Sequence, residues 1–579
     1  MKHAHQTLSD QTGTQGPDPA SPFGLPAGSL SAASLSYAVP DFGAPRADAF
    51  GVDAFGVQNV ALLVRPAASA SSTMVTGGHG FKINLLWDAA AAAAPAAFRA
   101  GIEQAAQLIA NTLTDKITVN ISIDYSGTGG GADAGPDGGY YESYTLVRSD
   151  LTKDATPGIT YFNSLPTTSS IQGQSNVAVW DAQLKLFGLL SPNSTTTDDG
   201  SASFATDISP SLLVGVAFHE LTHALGRVPY GTAPDIFDLS RYTAAGTRLF
   251  SGSIPAPAAY FSVDGGTTKI ADYGLNSDPS DFLNSGIQGS NDPLDEYYSG
   301  STIQGATLVD LIQLEVLGFH VALSSFKASY SSTGLLANMG LLKDGVHFIS
   351  TITLTDTTTP SFTLTGPQYR SDAAVLAKIS SPYALSVTGA SAALAATLQA
   401  NAHVTAITVS DTAANVASAL TALSADTKLT ALTVQGTKGS DTLNLTGLAK
   451  PVTVNLGGDT AAVNSGLSAP ALTFLGTPDS LTLGAGASTV DFSLLASSGI
   501  ETIQNFSYGL DTLNIDLKGA ASSKLSAIDT TVDGAHAIYL YSSADPTHGV
   551  VLEGLSSGLT AANLLSSHLT FVDGHAIIR

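Results

Sequence analysis

The chain has 579 residues, 44% of them hydrophobic and only 12% charged, and its 47 acidic against 23 basic residues leave a formal charge of −24. That balance argues against nucleic acid, whose phosphates demand clustered Lys and Arg, and it suits calcium and a soluble, export-competent chain. With no cysteine, disulfides, thiolate-held zinc and thiol catalysis are excluded.

Residues 1–55 are rich in Gly, Pro, Ser and Ala and are expected to form a disordered leader. The leader shows no basic segment followed by an apolar run, so it does not read as a secretory signal peptide. No stretch of about 18 residues is apolar enough to span a membrane. Val60–Val64 and the alternating Phe81–Leu85 read as strands. Pro95 opens a helix to about Leu113, with Phe98, Ile102, Ala105, Ala106 and Ile109 on one face. Ile117–Ile123 alternates as a strand, and the glycine-rich Gly127–Gly139 reads as a surface loop.

The helix expected over Pro210–Leu225 carries the chemistry. Ser209 suits its N-cap, Pro210 its first turn, Gly226 its C′ position, and Pro229 cannot continue it. Within it lies His219-Glu220-Leu221-Thr222-His223, an H-E-x-x-H pattern. His219 and His223 fall one turn apart on one face, a spacing that lets two imidazoles share a zinc ion. Glu220 follows the first of them, so its carboxylate can reach a water rather than the metal. The bland alternative is an amphipathic helix with two incidental histidines.

The order strand, helix, strand, H-E-x-x-H helix resembles the N-terminal half of a metzincin protease. The closing segment Leu308–Phe319 extends the likeness: Asp310, Gln313, Leu317 and Gly318 match the last helix of matrixins and serralysins. The resemblance covers residues 57–320. It departs from the family at Pro229, where the long metzincin motif has a third histidine; the next histidine is His320. Leishmanolysin-like metzincins place their third ligand before an aromatic residue, shortly ahead of the Met-turn. The matching residue is Asp281, before Phe282, and a carboxylate is an acceptable zinc ligand. Asp278, Asp235 and Asp238 remain alternatives. Leu294 stands where the resemblance implies the Met-turn methionine. Tyr297 or Tyr298 would correspond to the oxyanion-stabilising tyrosine of astacin- and serralysin-like enzymes, with a packed aromatic as the alternative.

Past Phe319 repeats appear. Leu398–Val409 recurs as Leu423–Val434, an offset of 25 residues, with a fainter copy around Leu376 and Val387. Each unit reads as a short helix followed by a strand, stacking into a solenoid. Gly436–Asn444 follows the calcium-binding nonapeptide of RTX proteins save for its second glycine. Val452–Leu456, Ala471–Leu475 and Leu481–Leu483 look like further, worn turns. Ile500–Ile515 resembles the tail segments of proteins exported by type I secretion.

These readings predict an α+β fold: a leader over 1–55, a metzincin-like zinc protease domain over 56–320, an α/β repeat region over 321–435, and an RTX-like β-roll with a type I secretion signal over 436–579. The expected function is a secreted zinc metalloendopeptidase, with Zn2+ on His219, His223 and Asp281, Glu220 as general base, and Ca2+ in the C-terminal repeats. Its partners would be protein or peptide substrates and the type I secretion machinery. The alternatives are a surface or matrix protein with little or no catalysis, and a zinc hydrolase acting on something other than protein.

Overall fold

The computed structural model describes residues 71–435 apart from Thr232, four short strand pieces ahead of residue 71, and most strands and turns between residues 440 and 579. It is a mixed α/β chain with several sheets and no closed barrel among the described residues. The chain divides into two compact units, residues 1–328 with 336–352, and residues 329–335 with 353–579.

In the first unit Thr118–Tyr125 lies between Lys82–Trp87 and Gly200–Phe204, parallel to both. Ser71–Thr76 closes one side of this sheet antiparallel, and Ala132–Pro136 the other. The alternating residues of 117–123 are buried, as expected, but so are Thr118 and Asn120, because both faces of the central strand are covered. Ala132–Pro136 falls within the segment expected to be a surface loop: it adds to Gly200–Phe204 by backbone pairing, which needs no apolar run. The expectation of a disordered leader falls mostly outside the described residues. Of its described pieces, His3–Ala4 pairs with Ala132–Pro136 and Gln6–Thr7 with Tyr297–Tyr298. The first expected strand, Val60–Val64, also lies mostly outside them.

The helix Ala96–Thr112 buries the five residues expected to face the core. It packs against the helix Leu213–Ala224, and a Cβ on Gly101 would stand 2.6 Å from Leu213 Cδ2, so glycine sets this close approach. The closing helix Leu308–Val316 starts on a capping box: Thr307 Oγ1 accepts from Asp310 N and Thr307 N donates to Asp310 Oδ2 at 2.7 Å.

The second unit is two ladders of mostly parallel strands. One runs Ser361–Thr365, Ala384–Ala390, Val404–Thr412, Leu429–Gln435, Val452–Asn455, Leu472–Leu475, Thr489–Ser493, Thr512–Asp516. The other runs Ser440–Asn444, Thr460–Asn464, Ser480–Thr482, Ile500–Gln504. Up to Leu429 the chain returns through helices, Gly366–Leu376, Ala392–Ala400 and Ala413–Ala425. These helix-then-strand units are the ones the 25-residue offset marks out. Beyond Gln435 the return is a strand of the second sheet, so the boundary expected at 435/436 falls inside one continuous sheet. The glycines of the nonapeptide at 436–439 lie outside the described residues. Among those described, no helix is long and apolar enough to cross a membrane.

His320 joins three parts of the first unit. Its Nδ1 is 2.5 Å from Asp115 Oδ1, its backbone N–H meets Asp115 Oδ2 at 2.9 Å, and its Nε2 contacts the Asp154 carbonyl. It is engaged far from the H-E-x-x-H pair and takes no part in that site. The hydrogen bond to Asp115 raises the ring's pKa to about 9, burial pulling the other way. A raised histidine pKa stabilises the fold fully below the unfolded value of about 6.5, and that stabilisation is lost as pH climbs through the folded value. The melting temperature of the wild type should therefore exceed that of His320→Ala most at pH 6, with the gap closing above pH 9. A gap independent of pH would show that the ring carries no such charge.

Candidate metal centre

The site helix begins at Leu213, one turn later than expected. Ser209 and Pro210 form a preceding turn, in which Leu212 N–H bonds the Ser209 carbonyl at 2.9 Å. The helix N-terminus is capped from a distance: Gly215 N–H donates to Gln304 Oε1 at 2.8 Å. Its end is as expected. Gly226 has φ of +107°, Gly226 N–H bonds the His223 carbonyl at 2.9 Å, and Arg227 N–H bonds the Thr222 carbonyl at 3.2 Å. This is the Schellman pairing, which a residue with a Cβ adopts only under strain.

His219 and His223 are buried to within 1% of full burial and tilt toward one another, with ring centroids 4.6 Å apart. His219 Nδ1 is 2.8 Å from the Pro293 carbonyl, and His223 Nδ1 is 2.8 Å from the Arg227 carbonyl. A carbonyl only accepts, so each Nδ1 carries a proton and each Nε2 is the ring atom turned inward. The two Nε2 atoms stand 2.7 Å apart, and Asp281 Oδ1 lies 2.9 Å from the first and 3.1 Å from the second. Three electron-rich atoms converging on one point repel unless a cation sits between them. Burial pushes Asp281 up, but His219 and His223 outweigh it and hold the carboxyl well below the usual range.

Asp281 reaches this point through long-range pairing. Phe282 N–H bonds the Leu294 carbonyl at 2.7 Å, and Glu296 N–H bonds the Phe282 carbonyl at 2.8 Å. The segment ahead of the Met-turn-like loop is thereby stitched to the loop itself. Leu294 is buried, and Asp292 braces its turn by accepting from Leu294 N–H at 2.8 Å and Thr307 Oγ1 at 2.8 Å.

Of the alternatives to Asp281, Asp278 is nearest. Its Oδ2 is 4.0 Å from His223 Nε2, while its Oδ1 accepts from Ser280 N–H and Ser280 Oγ. Asp235 and Asp238 face elsewhere. Asp235 accepts from the backbone of Tyr230 and Asp238, and Asp238 pairs with Arg241 at 3.1 Å. Of the two tyrosines, Tyr298 is buried with its ring edge-on to His219, centroids 5.8 Å apart, whereas Tyr297 is only partly buried.

Glu220 is 1% exposed. Neither of its carboxylate oxygens has a hydrogen-bond partner among the described residues. Burial, then the charges of Asp281 and Asp133, raise its proton affinity well above the ordinary carboxylate range, with Arg227 opposing. A buried acid of this kind with no internal partner is a functional-site signature. Arg227 is fully buried; sequence reasoning passed it over, because a residue just past a helix end normally faces solvent.

Asp281→Ala should empty the site, read as loss of bound zinc after dialysis. Asp238→Ala should keep zinc but lower the melting temperature, since removing one partner of a buried ion pair costs about 3–5 kcal/mol. Zinc retained by Asp281→Ala and lost from Asp238→Ala or Asp278→Ala would reassign the third ligand. No family model, curated protein or solved structure matches this chain, so the site's chemistry is argued from its own geometry.

Proposed function

We propose that this chain is a zinc-dependent endopeptidase. The observation that carries the reading is the convergence of two inward-facing Nε2 atoms and the Asp281 carboxylate beside a buried Glu220 whose carboxylate has no hydrogen-bond partner among the described residues. The donor set fits the metal. Ligand atoms about 2.0–2.1 Å from a tetrahedral zinc lie about 3.3 Å from each other. The observed 2.7–3.1 Å asks for an opening of a few tenths of an ångström.

Bound there, zinc would supply a Lewis acid that polarises a carbonyl and makes water acidic near neutrality. The chain's own groups supply the rest. Glu220 takes a proton from the water that attacks the peptide carbonyl; as the C–O bond forms and the C–N bond breaks, it returns that proton to the leaving amine. Tyr298, packed edge-on against His219, would be the candidate to stabilise the developing oxyanion.

The metzincin resemblance supports the same reading, as does the match of the closing helix to that pattern, whereas Leu294 in place of the Met-turn methionine favours the non-catalytic alternative. The winding of the second unit between two parallel ladders supports an RTX-like roll, the nonapeptide-like sequence Gly436–Asn444 supports calcium in the repeats, and the tail segment supports export by the type I route. Arg227 favours the second reading, a non-catalytic surface protein: its Nη2 stands 2.8 Å from His223 Nε2 and would satisfy that lone pair without a metal.

Glu220→Gln preserves size and removes the base. It should bind zinc like the wild type and lose about 10²–10⁴-fold of its turnover on an unfolded protein substrate. Undiminished turnover in that variant would rule out the mechanism, and absence of turnover in the zinc-loaded wild type would favour the non-catalytic reading.

A further inference from the structure

Arg227 meets the centre through both its backbone and its side chain. Its backbone carbonyl receives His223 Nδ1 at 2.8 Å. Its side chain then folds back over the same ring. Nε donates to Thr222 Oγ1 at 2.9 Å, Nη1 to the Ser280 carbonyl at 2.7 Å, and Nη2 lies 2.8 Å from His223 Nε2. Nη1 is also 3.5 Å from Asp281 Oδ1. Thr222 Oγ1 in turn donates to the His219 carbonyl at 2.7 Å, so the anchor of the guanidinium is fixed to the first histidine. One buried fork therefore spans the helix that carries two ligands and the segment that carries the third.

Nothing local in the sequence would place Asp281 there. Fifty-odd residues separate it from His223, and the intervening chain folds into its own small sheet of Arg241–Ala244, Thr247–Arg248, Tyr260–Phe261 and Ala271–Asp272. The Ser280 carbonyl immediately precedes Asp281. Pinning it sets the direction in which the carboxylate leaves the backbone.

We propose that Arg227 is the positioning residue for the third ligand: its guanidinium, anchored on Thr222, clamps the Ser280–Asp281 segment against His223 and so completes the donor triangle. On this account the Nη2 contact with His223 is part of the same clamp, and it yields to the metal while the Thr222 and Ser280 bonds persist. The inference rests on the metal reading above. Lysine cannot replace the residue, because a single ammonium lacks the planar fork that reaches three acceptors at once.

The test is zinc affinity of the full chain, measured by competition with a chromophoric chelator, for the wild type, Arg227→Met, Arg227→Lys and Thr222→Val. Cobalt(II) absorption serves as a second readout of coordination geometry. Loss of a group that orients a metal ligand weakens binding about 10–100-fold. Arg227→Met should show that loss, with weaker visible cobalt bands as Asp281 swings away. Arg227→Lys should recover only part of it. Thr222→Val keeps the charge and removes the anchor, so it should weaken zinc as well, and it decides the matter if Arg227→Met fails to fold. Equal or tighter zinc binding by Arg227→Met and Thr222→Val would overturn the proposal and make Arg227 a competitor of the metal. A wild type that takes up no zinc would instead refute the metal reading itself, and the clamp with it.

Discussion

The candidate site depends on two hydrogen bonds, from His219 Nδ1 to the Pro293 carbonyl and from His223 Nδ1 to the Arg227 carbonyl. Each contributes only about 1 kcal/mol to stability. Their larger consequence is directional, because fixing the proton on Nδ1 decides where the Nε2 lone pair points. The two acceptors come from different places. Arg227 follows the helix end, and its carbonyl is set by the Schellman turn at Gly226. Pro293 belongs to the Met-turn-like loop. The helix supplies the rings, but the aim of each ring is set by backbone outside it.

That requirement explains how the surrounding loops are held. Asp292, one residue before Pro293, accepts from Leu294 N–H and from Thr307 Oγ1, and Thr307 opens the closing helix. Asp310 stands next to it in the first turn of that helix. Burial and the Asp292 charge raise the proton affinity of Asp310 well above the carboxylate range. The Pro293 carbonyl, and with it His219, is therefore braced by the closing helix. Asp281 is braced on the other side, through the Phe282 bonds to Leu294 and Glu296. One short loop positions a ligand on each flank.

Local chemistry in the sequence was enough to read the elements that depend on neighbours. The H-E-x-x-H spacing, the Gly226 turn, the apolar face of Ala96–Thr112 and the helix-strand repeats all rest on contacts within a few residues or one repeat. The N-cap was misread for an instructive reason: Ser209 and Pro210 have suitable chemistry, yet Gln304, some ninety positions away, supplies the oxygen. Lys185 was equally invisible. A lysine reads as surface even among apolar neighbours, but its Nζ is buried, donates to the Thr118 carbonyl at 2.8 Å and pairs with Asp199 at 2.5 Å. Ala132–Pro136 was taken for loop because a strand held only by its neighbour's backbone needs no alternation of its own. In each case the missing information was a partner remote in sequence.

The candidate ligands divide in the same way. His219 and His223 are four residues apart on one helix, so their pairing follows from helical geometry. Asp281 joins them only if the chain between closes correctly, and four carboxylates were available to the sequence reading. What separates them in the structure is the partner each already has. Asp238 is committed to Arg241, Asp235 to backbone N–H groups of its own turn, and Asp278 to Ser280. Asp281 is left to meet the imidazoles, and Arg227, which neutralises part of the local charge without forming a close ion pair, lets it do so. The third position is thus assigned by the competing commitments of the other acids as much as by any preference of Asp281.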